Sequence, residues 1–530
     1  MTSAGVDRGA GAYHQRMNPL SCRADDDACY LALKARDARF DGNFFTGVIS
    51  TGIYCRPVCR VRTPKRENCR FFEQAAQAEL AGFRPCLRCR PELAPRQCHG
   101  RDLLPWSMQD ASRILAQQAA QLIDAPTHSS ESPTSVAALA RRLGISERHL
   151  RRIFEARFGV SPLRYLQTRR LLTAKQLLTD TTLSVAQVAL ISGFGSARRL
   201  NAVFASQYQL APNQLRRSAP SSDASPAQAG MTLQLAYRPP YDVPAMLRFL
   251  AARAIAGCEV IDTDPAHPRL ATTLRLHNGP QACTGWLVAQ FDRSHCRVNV
   301  TLSDSLSQAL PQVLTLVHAW LDLDADPTVI HSALQADFPD GEALRLPGTL
   351  DGFALAVRAI LGQQITLAGA RTLCQRLVDR LGEPLATPIA GLNRLFPSPQ
   401  RLALTSADEW DQLGITQQRR RALLGLAQAF CERGLLLQPG VDVVRTLSQL
   451  QAIAGVGDWT AQYIVMRALA WPDAFPSGDV ALQRALGVRR DTHPAKAALA
   501  ASEGWRPWRS YATVRAWARL SPSPASSRAA

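Results

Sequence analysis

The 530-residue chain contains no run of about 18 or more apolar residues, which excludes a membrane-spanning helix. Its first residues, MTSAGVDRGAGAYHQ, lack the apolar core of a secretory signal, so a cytosolic protein is expected. Acidic residues are outnumbered, with 43 Asp and Glu against 61 Lys and Arg, a net charge of +18. That balance points to a polyanion as partner, either nucleic acid or a membrane surface. Lysine itself is scarce, and arginine supplies a forked donor suited to phosphates and guanine edges. Cysteine is absent after Cys431, whereas eight of the 13 cysteines precede residue 100. In a cytosolic chain such cysteines read as thiols or metal ligands rather than disulfides, and their crowding marks one cysteine-using module.

The cysteine-rich text is TGIYCRPVCR (51–60) and FRPCLRCR (83–90). Cys55 and Cys59 are spaced C-x3-C, and Cys86 and Cys89 are spaced C-x2-C. Two close pairs separated by a loop suit a tetrahedral zinc site with four thiolate ligands, one ion per chain. Cys22, Cys29, Cys69 and Cys98 fall outside this pairing and read as small apolar side chains. Arg56, Arg60, Arg62, Lys65, Arg66, Arg84, Arg88 and Arg90 flank the four cysteines and would hold the centre against a phosphate backbone.

Residues 106–217 contain a repeat: SVAALARRLGISERHLRRIF (135–154) matches SVAQVALISGFGSARRLNAVF (184–204). Each copy reads helix, glycine turn, helix, with Ser146 and Ser196 as N-caps of the second helices. This is a doubled helix-turn-helix, in which the second helix of each copy enters the major groove. Arg148, Arg151 and Arg152 in the first copy, and Arg198 and Arg199 in the second, are the candidate DNA contacts; Ile153, Phe154, Val203 and Phe204 read as core. A Ser/Ala/Pro-rich linker follows at 218–230. Strand-like and helical runs then alternate to about residue 340, and the chain beyond is nearly all helical by pattern.

Within that last part, LQAIAGVGDWTAQYIVMRALAWPDAFPSGDVALQRAL (450–486) reads as helix, tight turn, helix, then a loop presenting Asp479. Gly455, Val456 and Gly457 form a turn whose backbone N–H groups and helix N-terminus can approach a DNA phosphate. Trp459 and Tyr463 follow one turn apart, and WRPWRSYATVRAW (505–517) ends on Trp517.

Three resemblances follow from these residues. The four-cysteine module resembles the methyl-acceptor domain of Ada, and the repeat resembles the AraC-type DNA-binding domain. YRPPYDVPAMLRFLAARA (237–254), LPGTLDGFALAVRAILGQQIT (346–366) and the hairpin together resemble the AlkA-type helix-hairpin-helix 3-methyladenine DNA glycosylases. The implied architecture is multidomain and mainly α. It comprises a disordered start (1–20), a small α/β zinc domain (21–98), a double helix-turn-helix (106–217), the linker (218–230), a small α+β domain (231–340), an all-α glycosylase domain (341–520) and a disordered tail (521–530).

The Ada resemblance implies that Cys55 is both ligand and nucleophile toward a methylphosphotriester, with Cys59, Cys86 and Cys89 as co-ligands. The full-length family carries a second methyl-acceptor motif, Pro-Cys-His-Arg, which is missing here. The AlkA resemblance implies Asp479 as the catalytic carboxylate, a base pocket of Trp459, Tyr463, Trp517, Phe249 and Arg253, and Gln364 where relatives use a leucine wedge. Trp459 stands where lyase relatives carry the Schiff-base lysine, so base release without strand cleavage is expected. Val480 stands where some relatives have tyrosine. The expected protein is a fusion of alkylation sensor, transcriptional regulator and alkylbase glycosylase, partnered by damaged and promoter DNA. RNA polymerase is a further candidate partner, and a nucleoid-associated monomer is expected. The rival expectation is a regulator whose glycosylase half only binds DNA.

Overall fold

The computed structural model describes residues 26–96, 108–124, 135–215, 230–278 and 281–520. The expected disordered ends, most of the linker, Cys22 and Cys98 lie outside the described residues. No helix among the described residues is long and apolar enough to cross a membrane.

The cysteine module is a four-stranded sheet ordered Cys69–Phe72, Phe45–Val48, Ile53–Cys55, Arg84–Pro85. The last pair is parallel and the others antiparallel. Alternation on Ile53–Cys55 points Tyr54 into a core with Phe45, Ala78 and Phe83, and Cys55 ends the strand at the metal side. Cys29 and Cys69 are buried, as expected of small apolar side chains.

Both helix-turn-helix copies form, as Val136–Arg142 with Glu147–Phe158 and Val185–Ile191 with Ala197–Tyr208. Ser146 and Ser196 cap the second helices, accepting from the N–H of His149 and Arg199. A 19-residue helix, Pro162–Asp180, joins the copies. Ile153, Phe154 and Phe204 are buried and Val203 packs against the core.

The α+β domain is an antiparallel sheet of five strands ordered Met231–Ala236, Arg297–Leu302, Gln281–Asp292, Arg269–Asn278, Glu259–Asp262. The glycosylase domain is helical from Gly352–Leu361 to Arg509–Arg519, apart from a two-stranded pair at Glu383–Pro384 and Arg394–Leu395 that periodicity did not foresee. Runs of two residues are too short to show a period.

Buried charges join these parts. Arg238 is fully buried and donates to carbonyls of Asp41 (2.8 Å), Pro95 (3.3 Å), Arg96 (2.9 Å) and Asp324 (2.8 Å). Lys175 of the long helix meets Glu92 of the cysteine module at 2.5 Å. Glu79, on the module's helix Ala75–Leu80, accepts from Tyr54 (3.1 Å), Tyr208 (2.9 Å) and Thr168 (2.7 Å), so one carboxylate ties the sheet to the joining helix and to the second repeat copy.

Burial pushes the Glu79 carboxyl up to about 7, against the three hydroxyl donors that pull it down. The native state therefore holds a proton that the unfolded chain releases near pH 4.3. Its stabilising effect is complete below that value and is lost as pH rises through about 7. Glu79→Gln should remove this contribution, so that the first thermal transition of the full chain falls less steeply between pH 5 and 8 than in the wild type. Relative to wild type, the variant should gain up to about 4 kcal/mol at the alkaline end, a ceiling set by the shift. Calorimetry across that pH range checks it.

Candidate active site and metal centre

Cys55, Cys59, Cys86 and Cys89 converge so that their four Sγ atoms lie within 4.8 Å of one another. The turn after the strand brings Cys59 N–H to Arg56 O at 3.1 Å, and Cys86 N–H meets Tyr54 O at 2.9 Å. Arg56 N–H donates to Cys89 Sγ at 3.3 Å. Hydrogen bonds among the thiols split their pKa values: the bond with Cys59 pushes Cys55 up, while the bond with Cys55 draws Cys59 and Cys86 down. Burial pushes Cys89 up. Four adjacent thiolates cannot all ionise without a cation, and a four-sulfur tetrahedral set is the donor chemistry of zinc. The residues present fit one zinc ion.

The basic flank differs from expectation. Arg56 and Arg90 are buried rather than turned to a phosphate backbone. Arg56 is ion-paired to Asp41 and donates to Cys89 O at 3.0 Å; Arg90 pairs with Glu92 (3.0 Å) and Asp180 (2.6 Å). Arg66 bonds Asp27 at 2.9 Å. Burial required Arg56 and Arg90 to be neutralised, a fact that spacing in sequence does not carry. Arg60, Arg62, Lys65 and Arg88 remain exposed.

In the last domain the hairpin is helix Val443–Gln451, turn, helix Asp458–Ala468. Gly455 has φ +90°, the left-handed conformation that favours glycine, and Gly457 is the N-cap of the second helix with open space around it. Val456 anchors the turn in the core: its side chain is buried and its N–H goes to Ile453 O at 3.0 Å. The donors left for an anion are those of Gly457 and the first helical turn, which have no intrahelical acceptor.

Asp479 caps helix Val480–Ala485, with Leu482 N–H at 2.7 Å from Oδ1. Two indole N–H groups reach the same carboxylate: Trp517 Nε1 meets Oδ1 and Trp459 Nε1 meets Oδ2, each at 3.0 Å. The loop that presents it is braced by Arg509, which donates to Asp473 at 2.7 and 2.9 Å, and by Gln462, which accepts from Phe475 N–H at 3.2 Å. Asp479 is thus a cap and the floor of a cleft at once.

That cleft, about 1360 Å³, is lined by Phe249, Arg253, Trp459, Tyr463, Asp479 and Trp517 among others. Trp459 stacks on Tyr463 at 5.7 Å and 17°, and Phe249 lies parallel to Trp517 at 6.4 Å and 18°. All five expected pocket residues are therefore brought together around Asp479. Sequence reasoning missed Arg467, which is buried, donates to Pro347 O (2.8 Å), Gly348 O (3.0 Å) and Tyr463 Oη (2.8 Å), and lies 5.1 Å from the Phe249 ring. Its signal was an arginine inside the apolar run YIVMRALA, four residues after Tyr463. Arg253 covers Phe249 at 3.6 Å, with its own acidity raised by burial. Burial raises the Tyr463 phenol, but Arg467 and Arg253 outweigh it and hold the group below its usual range. The faces of Phe249 and Tyr463 already carry guanidinium groups, which leaves Trp459 and Trp517 as the rings of the expected pocket set without one.

Gln364 is exposed with φ +56°, on the loop between helices Gly352–Leu361 and Leu367–Leu381. Val480 is exposed beside Asp479. Arg148, Arg151, Arg152, Arg198 and Arg199 are all exposed on the second helices of the repeat. Arg151 pairs loosely with Glu147 at 3.4 Å and Arg152 meets His149 at 3.1 Å.

A four-thiolate metal module, a doubled helix-turn-helix and a carboxylate-floored helix-hairpin-helix cleft define a DNA-directed protein with two chemical sites. Family profiles match four segments: the metal binding domain of Ada at 28–92, a helix-turn-helix domain at 139–218, the AlkA N-terminal domain at 232–351, and the HhH-GPD superfamily of base excision DNA repair proteins at 357–509. A probable bifunctional transcriptional activator/DNA repair enzyme AlkA of Mycobacterium tuberculosis is 36% identical over 507 residues, 94% of this chain and 97% of that protein. The chain belongs to that family of bifunctional activator and repair proteins. DNA-3-methyladenine glycosylase 2 of Escherichia coli is 34% identical over 53% of this chain and 95% of its own length. The bifunctional transcriptional activator/DNA repair enzyme Ada of Escherichia coli is 36% identical over 34% of this chain and 45% of its own length. The four-cysteine cluster is accordingly a zinc site.

Elemental analysis of the purified protein should give one zinc per chain. Cys86→Ala should drop it below one half at micromolar free zinc, because three ligands bind the ion far more weakly than four.

Proposed function

We propose that this protein releases alkylated bases from DNA by hydrolysis and transfers methyl groups from DNA methylphosphotriesters to Cys55, which then switches on sequence-specific transcription. The observation that carries the first activity is the Asp479 carboxylate, clamped by the Trp459 and Trp517 N–H groups at the floor of an aromatic cleft.

A base inside the duplex is out of reach, so the nucleotide flips into the cleft while the hairpin donors hold the backbone. The base stacks on the indoles, and Tyr463, Arg253 and Arg467 border it. As the glycosidic bond lengthens, positive charge develops on the deoxyribose, and Asp479 lies ready to stabilise it and to orient water. The indole N–H groups fix the carboxylate rotamer before substrate arrives, so no reorganisation is needed during the reaction. Trp459 offers no amine for a Schiff base, so the reaction ends at the abasic site.

At the other site, bound zinc keeps Cys55 in the thiolate form. The sulfur attacks the methyl carbon, a C–S bond forms, the C–O bond breaks, and the phosphodiester departs as the anion. One negative charge is lost from the module, which weakens its repulsion by DNA phosphates and tightens promoter binding through the exposed arginines of the repeat. Two reading helices in one chain supply two groove contacts without a second copy, which supports a monomer acting at the nucleoid. RNA polymerase is the partner that activation requires.

Asp479→Asn should lower single-turnover base release from methylated duplex at least 100-fold while leaving DNA affinity within threefold, because Asn still caps the helix. Strand nicking should be absent in both proteins. No release by the wild type would instead favour a regulator whose glycosylase half only binds DNA. Trp459→Phe keeps the ring and removes one charge-assisted hydrogen bond, so a roughly 10- to 100-fold loss in rate with little change in binding is expected. Cys55→Ala should abolish methyl uptake from methylphosphotriester DNA, measured by mass spectrometry; transfer that persists would leave the metal a structural role only.

A further inference from the structure

The two reading helices end on equivalent residues of the repeat: Glu147–Phe158 on Arg157 and Phe158, Ala197–Tyr208 on Gln207 and Tyr208. All four residues meet one short stretch of the cysteine module, residues 73–79. In the first copy, Arg157 pairs with Glu73 at 4.0 Å, and Phe158 O accepts from Gln77 Nε2 at 3.0 Å. In the second copy, Gln207 Nε2 donates to Glu79 O at 3.3 Å, and Tyr208 Oη donates to Glu79 Oε1 at 2.9 Å. Phe158, Tyr208 and Glu79 are buried, and Ala76 belongs to the same core as Phe154 and Phe158. Gly159 carries the imprint of this contact. Both reading helices are followed by a left-handed residue, Gly159 at φ +67° and Gln209 at φ +55°. A glutamine takes up this conformation in the second copy, so the backbone alone does not require glycine in the first. A Cβ at Gly159 would stand 3.0 Å from Gln77 Nε2, and the missing side chain answers that crowding.

Among the described residues the two copies bury separate hydrophobic cores. The first closes around Phe154 and Tyr165, while the second continues into the α+β domain through Leu177, Leu233 and Val300. Helix Pro162–Asp180 joins the copies, and one helix holds two bodies only as stiffly as its own curvature and packing allow. A second connection, made of buried hydrogen bonds with fixed geometry, removes that freedom. We propose that residues 73–79 of the cysteine module set the separation of the two reading helices, and thereby the half-site spacing that the repeat accepts on DNA, which rests on the sequence-specific binding proposed above. Gln77 and Glu79 act through the reading helices and are positioning residues. Each added base pair displaces a half-site by about 3.4 Å and about a tenth of a turn, so helices held at one separation read one spacing. Tyr54, which directly precedes Cys55, donates to the same Glu79 at 3.1 Å, so the brace hangs from the strand that presents the nucleophile.

The test uses the full-length, zinc-bound protein. The wild type selects duplexes from a random-sequence pool, and the selected two-part site is then titrated as it stands, with one base pair inserted between its halves, and as single halves. Gln77→Glu keeps the oxygen that accepts from Gln74 N–H at the start of the helix, but sets a carboxylate oxygen against Phe158 O. Tyr208→Phe keeps the buried ring and removes one donor to Glu79. On insertion the wild type should lose about 30-fold in affinity, the scale of losing the base contacts of one half, and the double variant less than about fivefold. Single-half affinities of the two proteins should agree within about twofold, which a variant that merely unfolds the repeat would not give. Glu79→Gln, which keeps an acceptor for Tyr208, should retain the wild-type loss. A double variant that keeps the wild-type spacing penalty, or that loses single-half binding as well, would overturn the spacing role and leave sequence-specific binding standing. A wild type that selects no two-part site would overturn that binding, and this inference with it.

Discussion

The guanidinium of Arg238 sits in the middle of the protein with no access to water, and four backbone carbonyls from three segments of the chain surround it. Removing such a charge from solvent is expensive unless its hydrogen bonds are replaced, and here they are supplied by the cysteine module and the α+β domain together. The same constraint acts at Glu79 and Lys175. Each is a buried polar group at a boundary, with its partner supplied by the neighbouring part of the chain. Apolar packing would hold these parts together in many relative positions; a buried ion with fixed donors and acceptors accepts far fewer. The specificity of the arrangement comes from these groups more than from the area they cover.

The same logic builds the two sites. At the metal centre, crowding four thiols forces their ionisation to be shared out, which only a cation resolves. At the cleft, a carboxylate is clamped by donors from three different helices, the cap of its own helix and one indole from each of two others. The bracing loop, tied by Asp473 to Arg509, keeps those helices at fixed distance. Both sites are therefore prepared before DNA arrives, and the cost of preparing them is met during folding.

Much of this was legible in the chain. The doubled cysteine pairs, the repeat with its serine caps and the Gly-Val-Gly turn are local patterns, and each formed where the spacing put it. What spacing could not carry was direction. Arg56 and Arg90 look like the rest of the basic flank in sequence but point inward to acids far along the chain. Val456 belongs to a ligand-binding turn by position and to the core by side chain. Trp459 and Trp517 were readable as stacking faces, yet their edges hold Asp479, and two of the three partners of Arg467, Pro347 and Gly348, lie more than a hundred residues away in sequence.

By itself the sequence determined the order of the modules, the four-sulfur donor set, the two reading helices and the acid that the last loop presents. Residue type and short-range spacing suffice for these, since capping, turns and ligand pairs act within a few residues. The tertiary structure decided which arginines are exposed and which are buried, which donors fix Asp479, and how one fully buried guanidinium joins the sensor module to the repair half. Those outcomes depend on desolvation and on partners tens to hundreds of residues apart, and only the folded chain brings them within hydrogen-bond reach.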